Sequence, residues 1–297
     1  MRLYVIGAEG QVARSLREAA SEHPGVTFGF SSRPTVDILD SASVATAISA
    51  FRPDVVVNPA AYTAVDRAED EPERAFAINR DGAQTVARIT AQRGLPIIHL
   101  STDYVFDGSK QAAYLETDDV NPQGVYGESK LAGEIAVTRA NPRHVILRTS
   151  WVYAPFGGNF VCTMLRLAAK RDRLRVVNDQ KGCPTYAPDI AEAVISIAIE
   201  LVTWRDEYAG LTHLSGPDAM TWFDFAREIF RQSAIRGGPC ASVDPIAASE
   251  YPTRAVRPAN SQLSTQRLRS LFGGELPSTE ASLANCLDRI LAKREIQ

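Results

Sequence analysis

The chain opens on an unbroken apolar run, Leu3-Tyr4-Val5-Ile6, followed at once by Gly7-Ala8-Glu9-Gly10-Gln11-Val12-Ala13. A strand that ends in a tight glycine turn and passes directly into a helix leaves few architectures open. Such a strand is buried on both faces, and the helix has to cover one of them. Gly7 supplies the positive φ of the turn, Gly10 lets backbone approach a pyrophosphate, and small Ala13 stands where helix and strand pack closely. Gly7, Gly10, Gln11 and Val12 are therefore assigned to the phosphates of a dinucleotide at the start of a helix. Glycines also occur in βα turns that bind nothing, so the rest of the chain has to support this reading.

Further short apolar runs follow at residues 26–30, 54–58, 95–100 and 145–150, separated by helical patterns at 41–51 and 69–93. Asp40 suits an N-cap for the first of these helices, and Pro72 suits the start of the second. The alternating elements number about six by residue 150, which predicts an α/β fold with a doubly wound parallel sheet of Rossmann type. Beyond it, Gly157-Gly158, Gly182-Cys183-Pro184, Gly216-Pro217 and Gly237-Gly238-Pro239 punctuate a less regular stretch. Residues 1–150 are expected to bind NAD(P), and residues 151–297 to form a smaller mixed substrate-binding lobe. A strongly apolar helix at 189–202 returns the chain to the first domain near 185–203. A second helix is expected at 222–232, and the tail after Glu275 is expected to be helical.

At 297 residues with 45% apolar and 23% charged side chains, the chain can bury a sizeable core. A net charge of −3 without a basic stripe argues against a nucleic-acid or anionic-membrane surface. No apolar run approaches the ~20 residues of a membrane span, and Met1-Arg2 leads straight into a strand, so a cytoplasmic home is expected. Cys162, Cys183, Cys240 and Cys286 form no Cys-x-x-Cys pair, and His23, His99, His144 and His213 form no ligand-like cluster. Neither a disulfide framework nor a metal site is expected.

The chemical centre is expected at Ser101-Thr102-Asp103-Tyr104-Val105-Phe106-Asp107-Gly108 together with Tyr126-Gly127-Glu128-Ser129-Lys130. The apolar run before Ser101 delivers it and Thr102 to the C-terminal end of a strand, where open α/β sheets bind ligands. Tyr126 and Lys130 stand four apart on a helical pattern and share one face. A tyrosine with its ordinary pKa near ~10 is a sluggish acid at neutral pH, and a neighbouring ammonium favours phenolate. Thr102 can bond the same oxygen. At the end of the second strand Ser31-Ser32-Arg33 stands where an NAD-preferring site would have a carboxylate, and the guanidinium suits a 2′-phosphate. Ala60 and Ala61, after the third strand, leave room for a ribose against backbone. Asn79 suits a capping or a solvated role.

A strand ending in Ser-Thr, then Tyr-x-x-x-Lys, behind an N-terminal glycine turn, resembles the extended short-chain dehydrogenase/reductase family. Within it the wording STDYVFDG, YGESKLAGE and RTSWVY resembles the dTDP-4-dehydrorhamnose reductase family, from Gly7 to about Leu268. The resemblance implies reduction of the C4 keto group of a dTDP-4-keto-6-deoxy sugar by NADPH, with NADH also accepted. In it Tyr126 donates the proton, Lys130 lowers the tyrosine's pKa and bonds the nicotinamide ribose, and Thr102 orients the carbonyl oxygen. It assigns Asp37 and Ile38 to the adenine, and Ala61, Tyr62 and Thr63 to the cofactor. It places Thr63, Val65, Asp103, Tyr104, Trp151 and Arg257 against the sugar nucleotide. Trp151 reads either as a stacking platform or as core, Arg257 as a partner of the diphosphate, and Asn79 equally as the internal polar support that the resemblance implies.

A 4-epimerase or 4,6-dehydratase would use the same Tyr and Lys, but dehydratases commonly place Asp-Glu after the threonine, whereas Asp103-Tyr104 follows here. A non-catalytic regulatory subunit, as found for methionine adenosyltransferase, is a further alternative that the intact Thr102, Tyr126 and Lys130 disfavour. Family members that dimerise through magnesium carry acidic residues where this chain has Ser15 and Pro188-Asp189. A magnesium-linked dimer is therefore not expected, and monomer and homodimer both stay open.

Overall fold

The computed structural model of the protein describes residues 1–292. Six strands, β1 (Arg2–Ile6), β2 (Thr27–Ser31), β3 (Val55–Asn58), β4 (Ile97–Thr102), β5 (His144–Thr149) and β10 (Gly210–His213), make one sheet. Its order is β10-β5-β4-β3-β1-β2 and every pairing in it is parallel. All residues of β3, β4 and β5 are buried, which explains why these segments read as continuous apolar runs rather than alternating ones. Five of these strands precede residue 150, with helices between them, so the alternating elements outnumber the six expected. The sixth strand comes from the second half of the chain, because β10 adds to the free edge of β5.

Helices cover both faces. Val44 and Ile48 of α2 (Ser41–Phe51), Val86 of α5 (Ala83–Ala91) and Val137 of α6 (Val125–Ala140) pack on one side. Leu16 of α1 (Gln11–Ala19), Val194 and Ala198 of α8 (Ala187–Leu201) and Leu268 of α10 (Gln266–Phe272) pack on the other. The Asp40 carboxylate caps α2 by accepting from the N–H of Ala42 at 2.9 Å. Where one helix was expected over 69–93 the chain forms α3 (Val65–Ala68), α4 (Pro72–Phe76), a π-helical turn at Ala77–Gly82 and then α5. The turn lets the segment press against α6, and a Cβ on Gly133 of α6 would lie 2.1 Å from the carbonyl oxygen of Asn79. Only glycine permits that approach.

A second apolar cluster joins α7 (Phe160–Ala168), β7 (Arg173–Val177), α9 (Trp222–Ile235), β12 (Ser242–Ile246) and α11 (Thr279–Ala292) around Leu165, Phe225, Ile229 and Leu287. β7 and β12 pair in parallel. Two-residue pairings link β6 (Val152–Tyr153) to β9 (Thr185–Tyr186) and β8 (Lys181–Gly182) to β11 (Met220–Thr221). Among the described residues no helix is long and apolar enough to cross a membrane.

β1 lies between β2 and β3, so the chain passes from β1 to β2 on one side and returns across β1 to β3 on the other, the switch in direction at which open α/β sheets leave a crevice past the strand's C-terminal end. Gly7 occupies that point at φ +102°, and a Cβ there would sit 2.7 Å from Cβ of Ala60. Two conditions, the left-handed backbone and the close approach, both exclude other residues.

Candidate active site

The glycine turn is tied to the second strand, since the N–H groups of Gly7 and Ala8 both donate to the carbonyl of Ser31, at 2.8 and 3.1 Å. Those two amides are spent. The donors left over belong to the first turn of α1, at Gln11, Val12 and Ala13, where Gly10 is the N-cap and no side chain caps the helix. Nothing lies within 4 Å of the position a Gly10 Cβ would take, so the approach to this helix start is open. Arg33 is exposed and makes no hydrogen bond or ion pair among the described residues. Ser32 Oγ donates to a carboxylate that comes from the glycine turn instead of from the strand end, Glu9 Oε1 at 3.4 Å. Asp37 turns inward on its own loop, accepting from the N–H of Leu39, while Ile38 is buried beneath Gly82.

Ala60 and Ala61 are half-buried after β3, Tyr62 is buried and Thr63 exposed. Asn79 acts as a support, not a cap: its Oδ1 accepts from the N–H of Tyr62 at 2.8 Å, and its Nδ2 donates to the carbonyl of Tyr62 and to Ser129 Oγ. One amide in the π turn therefore ties the loop after β3 to the helix that carries Tyr126 and Lys130. The phenol of Tyr62 donates to Glu71, which also pairs with Arg67 and Arg74.

α6 sets half-buried Tyr126 and buried Lys130 against the end of β4, where buried Thr102 lies. Lys130 Nζ donates to the carbonyl of Leu100 at 2.6 Å, and the Tyr126 phenol meets the Thr102 hydroxyl and the edge of Tyr104, with ring centres 5.5 Å apart. The expectation that the ammonium draws Tyr126 toward the working range does not hold in this structure. Burial dominates and pushes the phenol up to about 12, with Thr102 opposing and Asp103 adding to the rise. Burial also pushes Lys130 down to about 8, offset in part by Glu134. His99 is held neutral in the core, its Nδ1 against Asn58 Nδ2 at 3.2 Å.

Thr102 Oγ1 donates to Asp103 Oδ1 at 3.0 Å and accepts from the N–H of Tyr104 at 3.2 Å. Burial lifts Asp103 to about 6, against the hydroxyls of Ser261, Thr102 and Ser150. A carboxyl whose folded pKa is raised contributes full stability below its unfolded pKa and loses it as pH rises through the folded value. Asp103→Asn should thus leave stability unchanged below pH ~4 and raise it by about 2 to 3 kcal/mol above pH ~7. Denaturant unfolding at the two pH values checks this, and equal effects at both would remove the buried-charge explanation.

On the far side, Trp151 has φ +47° and stacks on Trp222, with ring centres 3.4 Å apart and planes 4° from parallel. Bulk around it is restricted, since a Cβ on Gly182 would meet its indole at 2.4 Å. Trp222 borders a cavity of about 1000 Å³, together with Phe160, Arg173, Gln180, Tyr251 and Arg257. Thr102 and Tyr126 are not among its walls. Arg257 connects the two regions: it pairs with Asp66 of α3, Nη2 to Oδ2 at 2.8 Å, next to half-buried Val65. The pair spans 191 residues and had no signal in the sequence. Where acidic residues were missing from the first helix, Ser15 Oγ donates to the carbonyl of Gln11, and Asp189 accepts from Ser282 Oγ. No cluster of three or more His, Cys, Asp or Glu suited to a metal occurs among the described residues.

A family model described as RmlD substrate binding domain matches residues 1–292. A dTDP-4-dehydrorhamnose reductase of Sinorhizobium fredii is 49% identical over 283 residues, 95% of either chain. Among solved structures, a dTDP-4-dehydrorhamnose reductase from Clostridium acetobutylicum superposes with a TM-score of 0.90 at 35% identity, covering 98% of this chain and all of that one. Another from Bacillus anthracis, solved in complex with NADP, gives 0.87 at 32% identity over 98% and 99% of the two chains.

Proposed function

This chain belongs to the dTDP-4-dehydrorhamnose reductase family, and we propose that it reduces the C4 keto group of a dTDP-4-dehydro-6-deoxy-L-hexose, with NADPH as the reductant, in the cytoplasm. The observation that carries the reading is the meeting of Thr102, Tyr126 and Lys130 beside the crevice between β1 and β3. A dinucleotide fits the first turn of α1 and the open side of Gly10, with Arg33 available to a 2′-phosphate. Bound there, NADPH supplies the hydride.

The protein's part is position and proton supply. Tyr126 is the acid for the developing C4 alkoxide: burial keeps the phenol protonated at neutral pH, and the proton leaves readily only if the phenolate is stabilised as it forms. Lys130 stabilises the phenolate left behind. Thr102 adjoins the phenol, and its hydroxyl, which donates to Asp103 in this structure, turns its proton to the keto oxygen to hold it. Arg257 and the cavity bounded by Trp222 and Gln180 receive the nucleotide portion, within a lobe contributed mainly by the described residues from 151 onward. Oxidation of NADPH by the purified chain with dTDP-4-keto sugars, and product configuration at C4 by NMR, tests the proposal. Turnover without added reductant would point to an epimerase or dehydratase.

Cofactor choice is set at Arg33 and Glu9. Arg33→Ala should raise the KM for NADPH roughly ten- to a hundredfold and leave that for NADH within about twofold, since only the former loses a charge-assisted phosphate contact. Glu9→Gln should act in the opposite sense, lowering the KM for NADPH up to about fivefold, because its carboxylate stands at Ser32. Parallel kinetics with both nucleotides decide it; equal effects on the two would make these loop residues irrelevant to the phosphate.

A further inference from the structure

Glu134 lies on α6 one turn beyond Lys130, as Tyr126 lies one turn before it, so the three side chains share a face. Its carboxylate is buried and takes three hydrogen bonds: Arg148 Nε to Oε1 at 2.9 Å, Arg148 Nη2 to Oε2 at 2.7 Å, and Ser101 Oγ to Oε1 at 2.5 Å. Ser101 and Arg148 are direct partners in the register of β4 and β5, so the sheet presents both donors to the helix from one place. The guanidinium also lies over the ring of Phe106, 5.0 Å from its centre. A buried ion pair is a poor device for stability alone, since packed apolar residues of similar volume do as well or better. What this one has besides is its place one turn along α6 from Lys130, on whose ammonium its charge acts.

We propose that Glu134, fixed by Arg148 and Ser101, is a positioning residue that keeps Lys130 charged beneath Tyr126. The inference rests on the roles assigned to Tyr126 and Lys130 above. When Tyr126 gives up its proton, the phenolate is stabilised only by an ammonium, and burial of Lys130 works against that form. Around Lys130 lie Glu134, whose charge acts on it, and Tyr126 from its own helix, with His99 and the Leu100 carbonyl from β4; Arg148 of β5 reaches this group through Glu134. His99 is neutral, and Glu134 is the carboxylate whose charge acts on Lys130, while Asp103 acts on Tyr126 instead. Charges on α3, α4 and the π turn, such as Arg67, Arg74 and Asp81, lie at the surface. Glu134 is thus the fixed anion available to Lys130, and Arg148 partly cancels it.

The chain has five lysines, so the Lys130 side-chain signal can be assigned in lysine-labelled protein by its loss in Lys130→Met, and titrated by NMR without nucleotide or sugar. In Glu134→Gln its midpoint should fall by about one pH unit or more, and the basic limb of kcat should move down with it. Should that variant not fold, Glu134→Gln/Arg148→Met removes both charges together, and its midpoint should still fall, by less. An unmoved midpoint in a folded variant overturns the proposal. A midpoint that moves while the pH profile stays in place supports the electrostatic link but overturns the role given to Lys130 in turnover.

Discussion

Tyr126→Phe should cut turnover of the keto sugar by about two orders of magnitude or more, because a positioned general acid typically contributes 10² to 10⁴. Binding of NADPH, followed by fluorescence, should change little. The phenol meets Thr102 and the ring of Tyr104, and its removal takes away one hydroxyl from a half-buried side chain while leaving the ring contact in place. Stability should therefore hold, which separates lost chemistry from lost fold. Turnover within a few-fold of the parent protein would assign the proton to another donor, with the buried and partly protonated Asp103 the next candidate.

Lys130→Met should have a comparable effect on turnover and a different signature in pH. In the parent protein activity should decline as pH rises through about 8, where Lys130 loses its proton; the variant should lose that limb along with most of its rate. Stability should move the other way. A lysine whose folded pKa lies below its unfolded value penalises folding fully below the folded pKa, and the penalty fades as pH rises to the unfolded one. For Lys130 that window runs from about 8 to 10.5. Methionine at this position should make the protein more stable by about 2 to 3 kcal/mol near pH 7, with the gain shrinking above pH 8. Urea unfolding across that window, alongside rates, checks both halves. A variant that is both inactive and destabilised would mean that the bond to the Leu100 carbonyl, and not the charge, is what Lys130 contributes.

Elements defined by neighbours in the chain were legible from residues alone. The run Leu3 to Ile6 with Gly7 behind it is a strand and a left-handed turn, and Asp40 caps the helix that begins at Ser41. The four-residue step from Tyr126 to Lys130 places them on one face of α6 wherever that helix packs. Periodicity and cap chemistry act over one or two turns, which is why such features survive without knowledge of the fold. The π turn at Ala77–Gly82 was not legible, because it answers to the close approach of Gly133 from a different helix. β10 was missed as a sheet strand for a related reason: Gly210–His213 is only four residues long and becomes a strand by docking on β5.

The chemistry divides along the same line. Thr102, Tyr126 and Lys130 were proposed together from the strand that ends at Thr102, the helical spacing and the family resemblance. Their protonation was decided by the tertiary structure. Burial raises Tyr126 and lowers Lys130, reversing the simple expectation for an ammonium beside a phenol. The balancing carboxylate, Glu134, draws its donors from Ser101 and Arg148, 33 and 14 residues away. Arg257 likewise finds Asp66 across most of the chain, and Trp151 finds Trp222. A sequence carries local periodicity and side-chain chemistry, whereas desolvation and long-range pairing exist only once the chain has closed on itself, and these set the charge that each group can hold.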